Sequence, residues 1–224
     1  MTNEICISAS DLTDLRNAFF PSPEERCAVL FATESRRKGG LVRLLVRRIK
    51  YPESADYSRQ GIDNAELTPA FVARVAKQAL LGRFALIFVH THPGDERPAF
   101  SPVDDQGECV LATFLSVRGL TGTNAAMVMS EGGLRGRLLG RETELRVISL
   151  GAKRVVEFDP EIDEAAYSSV FDRQVRAFGA AGQKRLEHLQ VAVVGLGGTG
   201  SIAAQQLFHL GVRRFILIDP DFVE

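Results

Sequence analysis

Residues 85–104, ALIFVHTHPGDERPAFSPVD, decide how the first part of this 224-residue chain is read. Ala85 to Val89 is a short, wholly apolar run, the pattern of a central strand buried on both faces. His90 and His92 follow at i and i+2, so their imidazoles project from the same side of the strand end. Pro93 ends the pairing, and a loop with Gly94 and Pro98 leads to Ser101-Pro102-Val103-Asp104. This tetrad reads as N-cap, N1, N2 and N3 of a helix and places Asp104 in the first turn. Two imidazoles and a carboxylate make a three-ligand set that leaves the fourth position of a zinc ion for water, as in catalytic rather than structural sites. Such a zinc lowers the pKa of its water towards ~7 and polarises a carbonyl, and a carboxylate beside it can carry the proton. Two of the four histidines in the chain lie in this stretch, which counts against chance decoration of a strand end.

Working outward, Ser8 or Ser10 caps a first helix whose apolar positions Leu12, Leu15, Ala18 and Phe19 repeat at helical spacing, with Pro21 beyond its end. Cys27 to Thr33 and Leu41 to Tyr51 read as a hairpin turning at Lys38-Gly39-Gly40. Tyr51 to Glu66 is polar and irregular. Thr68-Pro69 starts a helix that Gly82 stops. The helix opened by Ser101 extends to Val117. Ala125 to Ser130 and Leu134 to Leu139 are strands joined by Glu131-Gly132-Gly133, and Leu145 to Phe158 adds one or two more.

The character changes near residue 160. Ala165 to Leu189 is an amphipathic helix. Val191 to Val194, the loop Gly195-Leu196-Gly197-Gly198-Thr199-Gly200-Ser201, a helix to Leu210 and a strand from Phe215 to Asp219 follow. In such a strand, glycine loop and helix the backbone approaches phosphates at a helix N-terminus, and Asp219 is placed to accept from a ribose hydroxyl. By itself the pattern fits NAD as well as ATP.

The chain is 45% apolar and 25% charged, an ordinary globular composition. A formal net charge of −1 argues against a nucleic-acid-binding surface. Arg43, Arg47 and Arg48 read as a solvated strand face. Cys6, Cys27 and Cys109 include no Cys-x-x-Cys pair, which excludes a disulfide framework or zinc ribbon and suits a reducing cytoplasm. Cys27 and Cys109 read as core residues. The first residues lack a signal-peptide pattern, and no apolar run approaches the ~20 residues that span a bilayer. A cytoplasmic protein is expected.

Two resemblances sharpen these expectations. His90-Thr91-His92-Pro93 followed by Ser101-Pro102-Val103-Asp104 resembles the JAMM signature of JAB/MPN metalloisopeptidases, His-x-His-Pro then Ser-x-x-Asp. Glu25-Arg26-Cys27-Ala28-Val29-Leu30 is similar to the upstream Glu-x-Cys-Gly-x-Leu of that family, with Ala28 where glycine is usual. Eight residues separate His92 from Ser101 where seven are common, an insertion in the Gly94–Phe100 loop. The resemblance covers roughly residues 1–150. It implies zinc held by His90, His92 and Asp104, Glu25 as general acid/base and Ser101 as stabiliser of an oxyanion. Asp105 and Glu24 are the neighbouring alternatives for ligand and base.

The second part resembles the ThiF/MoeB-like adenylating domain of ubiquitin-activating enzymes. Phe171-Asp172-Arg173-Gln174 is similar to its Tyr-x-Arg-Gln helix, with Phe171 for tyrosine, and Asp219-Pro220-Asp221-Phe222-Val223-Glu224 to its Asp-x-Asp-x-Val-Glu strand end. The resemblance implies ATP, with magnesium in a complete domain, bound by Gly195, Gly197, Gly198, Gly200 and Asp219. Arg173 would reach the phosphates, across a homodimer formed through this part. With only two strands of a doubly wound sheet, the unit reads as truncated, and its apolar strands are expected to pack on the first domain, pair between chains or be poorly ordered.

The expected fold class is therefore α+β: a JAB/MPN (cytidine-deaminase-like) domain over residues 1–160, then a truncated Rossmann-like α/β unit over 161–224. The leading expectation is a JAMM-type metallopeptidase, a zinc-dependent isopeptidase that processes or removes a ubiquitin-like modifier or its conjugates. It would be fused to an adenylating domain active only in a full-length form. The alternative is an adenylyltransferase whose first domain binds the modifier without catalysis, and a third is a metal-free scaffold.

Overall fold

The computed structural model describes residues 2–20, 22–36, 40–95, 97–160 and 171–221. The chain divides into two compact units, Met1–Pro160 and Glu161–Glu224. Both mix helices with strands, and the first is built around a large sheet.

The first unit runs β1 (Glu4–Ser8), α1 (Ala9–Phe19), β2 (Cys27–Arg36), β3 (Val42–Lys50), a short helical turn at Ser54–Asp56, β4 (Tyr57–Gln60) and β5 (Ala65–Leu67). It continues through α2 (Pro69–Gly82), β6 (Ala85–Thr91), α3 (Pro102–Val117), β7 (Ala125–Ser130), β8 (Gly133–Leu138), β9 (Glu144–Leu150) and β10 (Arg154–Phe158). Eight strands form one sheet in the order β1-β3-β2-β6-β7-β8-β9-β10, and β1 also pairs with β9. That second pairing is parallel and joins Glu4–Ser8 to Arg146–Leu150, so the sheet closes on itself with β10 left as an appendage of β9.

Strand alternation sorts the apolar residues into two cores. Ala28, Leu30 and Ala32 of β2 and Ala85, Ile87 and Val89 of β6 face one cluster, which includes Leu12, Leu15 and Phe19 of α1. Val29, Phe31, Leu86 and Phe88 face the other, where Phe71, Val72, Val75 and Ala79 of α2 and Leu115 of α3 pack. Burial on both faces is why β2 and β6 read as continuous apolar runs. The helices start where their caps dictate. Ser8 Oγ accepts from Asp11 N at 3.0 Å, and Thr68 Oγ1 accepts from Phe71 N at 3.3 Å ahead of Pro69.

Three expectations need correction. β1 lies in a stretch not anticipated as a strand; it is five residues long and abuts the Ser8 cap, so the helix signal masks it. The polar stretch read as irregular holds β4 and β5, an antiparallel pair of four and three residues, too short to show strand alternation. Cys109 is exposed on α3, whereas Cys6 and Cys27 are buried. The hairpin of β2 with β3 is antiparallel from Val29↔Lys50 to Arg36↔Val42, and the Lys38-Gly39 turn lies outside the described residues. Among the described residues no helix is long and apolar enough to cross a membrane.

The second unit comprises α4 (Asp172–His188), β11 (Gln190–Val194), α5 (Gly198–His209) and β12 (Arg214–Ile218). Residues 165–170 of the expected helix, and Val223-Glu224 of the expected strand end, lie outside the described residues. β11 and β12 pair in parallel with Val191 opposite Phe215. Gln174 and Gln183 donate to the carbonyls of His209 and Leu210 at 3.2 and 3.0 Å, tying α4 to the end of α5. Val194, Ile216, Leu217 and Ile218 remain exposed.

Leu15 is fully buried between α1 and the sheet. Leu15→Ala is expected to cost about 2–5 kcal/mol in urea denaturation through lost burial and the cavity left behind. A loss below about 1 kcal/mol would show that α1 does not pack as described.

Candidate functional site

The register of β2 against β6 assembles the first site. Cys27 pairs with His90, and Thr91 N donates to Arg26 O at 3.1 Å, so the antiparallel count brings residue 25 opposite residue 92. Glu25 Oε1 lies 3.8 Å from His92 Nε2. The Glu25 backbone is held from the other side, its N–H donating to Gly61 O at 2.8 Å and its carbonyl accepting from Gln60 Nε2 at 3.2 Å. The β4–β5 hairpin thus anchors a candidate functional carboxylate, a role its irregular polar sequence does not announce.

Asp104 arrives from α3. Ser101 is the N-cap, its Oγ accepting from Asp104 N at 3.2 Å, while Asp104 Oδ2 accepts from Ser101 N at 2.7 Å and Ser101 Oγ at 2.8 Å. This capping box fixes the carboxylate, and Oδ1 comes to 3.2 Å from His90 Nε2. His92 Nε2 is 3.7 Å from Asp104 Oδ2. His92 N donates to Met129 O at 2.9 Å, so β7 holds the residue after the strand end. The structure therefore brings His90, His92, Asp104 and Glu25 together, with Ser101 bonded to Asp104. The two neighbouring alternatives point elsewhere: Asp105 pairs with Arg137 at 2.7 Å, and Glu24 is exposed.

The donor set fits a zinc ion. One ligand atom from each of His90, His92 and Asp104 lies within 4.8 Å of the others. Ligands about 2.0–2.1 Å from a tetrahedral zinc sit roughly 3.3 Å apart, close to these separations. His90 Nε2 is buried and makes no hydrogen bond despite its closeness to Asp104, as expected of donors aimed at a common point rather than at each other. A zinc ion held by His90, His92 and Asp104 would supply a Lewis acid.

The electrostatics follow from burial and mutual charge. Burial pushes the Glu25 carboxyl up to about 7; Asp104, Asp63 and Asp95 reinforce the rise and His90 opposes it. Burial, with the charge of His90, holds His92 below the usual histidine range. Burial would raise Asp104, but the closeness and charge of His90 and the Ser101 donors outweigh it and hold Asp104 well below the usual carboxylate range.

The second candidate site is the loop between β11 and α5. Gly195 has φ +83° and donates to Ile218 O at 2.8 Å. A Cβ on Gly200 would lie 1.7 Å from Gly195 O, so only glycine lets the helix start this close to the loop. Gly197 is the N-cap of α5, and a Cβ on Gly195, Gly197 or Gly198 would enter open space with nothing within 4 Å. This is an unobstructed approach to a helix N-terminus, the kind of place that accepts phosphate. Asp219 accepts from Leu196 N and from Asp221 N, the latter at 2.9 Å, and these amides hold its carboxyl below the usual range. Arg173 is exposed in the first turn of α4, and Phe171 is buried beneath Arg213.

Residues 171–224 match the ThiF family. The chain is 44% identical over 54 residues to tRNA threonylcarbamoyladenosine dehydratase of Bacillus subtilis strain 168, covering 24% of this chain and 21% of the relative. The chain is 33% identical over 69 residues to SUMO-activating enzyme subunit 1 of Xenopus laevis, covering 31% and 20%. It is 46% identical over 41 residues to ubiquitin-like modifier-activating enzyme 5 of Arabidopsis thaliana, covering 18% and 10%. The chain thus spans about a fifth or less of the length of these relatives.

These matches correct the expected enzyme class. A ThiF segment and relatives named as activating enzymes overturn the expectation of a JAMM-type metallopeptidase.

The raised Glu25 pKa has a consequence for the metal-free protein. Below about pH 4.5 Glu25 is neutral in both folded and unfolded states, and from there to about 7 only the unfolded state loses its proton, so stability falls as pH rises. Chelator-treated Glu25→Gln is therefore expected to match the parent protein near pH 4.5 and to melt higher above pH 7. Parallel melting curves across that range would refute the raised pKa.

Proposed function

We propose that this chain belongs to an ATP-dependent enzyme that activates a ubiquitin-like protein by adenylation, with the second unit contributing the phosphate loop. The observation that carries this reading is the ThiF match over residues that fold as strand, open glycine loop and helix. Gly195, Gly197, Gly198 and Gly200 cradle the phosphates of ATP with its magnesium, and Asp219, kept ionised by backbone amides, accepts from the ribose. Arg173, exposed on α4, is available to phosphates bound by a second copy of the chain in a homodimer.

In this reading the first unit is of JAB/MPN type and binds the modifier, with zinc held by His90, His92 and Asp104 and Glu25 beside it. Bound there, the metal would tie the end of β6 to the start of α3. A ubiquitin-like protein is favoured over a nucleic acid as that partner, because the net charge of −1 offers no basic excess for phosphates.

Two measurements test this. Gly197 has φ −61° and open space around its missing side chain, so Gly197→Val is expected to fold normally yet fill the phosphate position. Equilibrium dialysis with labelled ATP and magnesium should show binding to the parent protein weakened at least about tenfold, roughly 1.4 kcal/mol, in the variant. Equal binding would remove the loop from nucleotide recognition. Elemental analysis should give about one zinc per chain, lost in His92→Ala. Zinc retained in the variant would discard this ligand set.

A further inference from the structure

One buried cation sits behind the metal ligands rather than among them. Arg137, on β8, is 7% exposed, and Glu108, on α3, is 5% exposed. Arg137 Nε donates to both Glu108 oxygens at 3.1 Å, and Nη2 donates to Oε1 at 2.9 Å. Nη2 also reaches Asp105 Oδ1 at 2.7 Å. The guanidinium lies 3.8 Å from the centroid of the Phe100 ring, and that ring stands 6.1 Å from the ring of His90. Glu108 Oε2 accepts further from Gly140 N at 3.1 Å.

A buried ion pair is weak evidence of a stabilising role, because desolvation offsets much of the attraction. What distinguishes this one is where it grips the chain. Phe100 immediately precedes the N-cap Ser101, Asp105 immediately follows Asp104, and Glu108 lies one turn further along α3. A single side chain thus contacts the side chains of residues on both sides of one metal ligand and backs the ring of another through Phe100. A forked arginine–carboxylate contact fixes rotation as well as distance, which a point charge does not.

We propose that Arg137 is a positioning residue for the metal site. By clamping Phe100, Asp105 and Glu108 it sets the approach of Asp104 to His90, and hence the affinity and coordination geometry of the bound ion. This rests on His90, His92 and Asp104 being metal ligands. Groups that orient ligands in this way typically govern 10–100-fold of metal affinity.

The test measures zinc affinity by chelator competition, the cobalt(II) absorption spectrum, and the melting temperature of metal-free protein. Arg137→Met combined with Glu108→Leu removes both charges together and leaves neither buried alone. Phe100→Leu breaks the stack without touching a charge and keeps the test open should the double variant fail to fold. Leu15→Ala weakens a different core and controls for stability. Zinc affinity is expected to fall about 10- to 100-fold in the double variant and by less in Phe100→Leu, with an altered cobalt spectrum in both. Arg137→Lys, keeping the charge but not the fork, should fall between the double and parent proteins. Leu15→Ala should melt lower and bind zinc as the parent does. Parent-like affinity and spectrum in both the double and Phe100→Leu variants would overturn the positioning role, as would an equal loss in Leu15→Ala. A parent protein that binds no zinc would instead remove the three-ligand reading, and the role of Arg137 with it.

Discussion

The first unit depends on the register of β2 against β6. Cys27 opposite His90 places Glu25 beside His92, and it aligns Ala28, Leu30 and Ala32 with one core and Val29 and Phe31 with the other. A slip of one residue would exchange these faces. Both faces are buried, so the slip would not expose apolar surface; it would force Phe31 into space shaped for alanine and leave a void where it had been. Thr91 Oγ1, accepting from Arg26 N at 2.9 Å, adds a polar lock at the end of the ladder where the site lies. Site geometry and core packing are thus one constraint.

The second unit is held differently. Its defining contact is between backbones, where Gly200 passes against the Gly195 carbonyl. Its described core is small, with Phe171, Gln183 and Val212 buried, while both strands keep apolar side chains exposed. The loop conformation is therefore set by glycine sterics and by the bonds of Asp219, more than by a surrounding core.

Much of this was legible in the sequence, for physical reasons. The capping box Ser101-Pro102-Val103-Asp104 and the cap Thr68-Pro69 mark helix starts because their hydrogen bonds are local. The strand ending in His90 reads from its unbroken apolar run. Features that depend on distant segments were hidden. β1 is paired by strands far along the chain, and β4 and β5 are too short to show strand alternation. The clamp of Arg137 on Glu108 and Asp105 joins residues some thirty positions apart, and neither charge looks unusual alone. The sequence pattern points to peptide hydrolysis because it weighs the first unit most heavily, whereas the ThiF match lies in the second.

The closing of the sheet by β1 against β9 has a consequence for how the chain is made. Of the strands in this sheet, Glu4–Ser8 is made before the others and meets its parallel neighbour only when residues 146–150 have emerged. Until then its other contact is with β3, also parallel, and the wall that β9 completes is open. Pairing across so long a loop is slow because the entropy of closing it is lost before any contact compensates. The unit should therefore become proteolytically resistant in a single late step, and nascent chains halted before β9 should expose the core that Ile5 and Ile7 later help to seal.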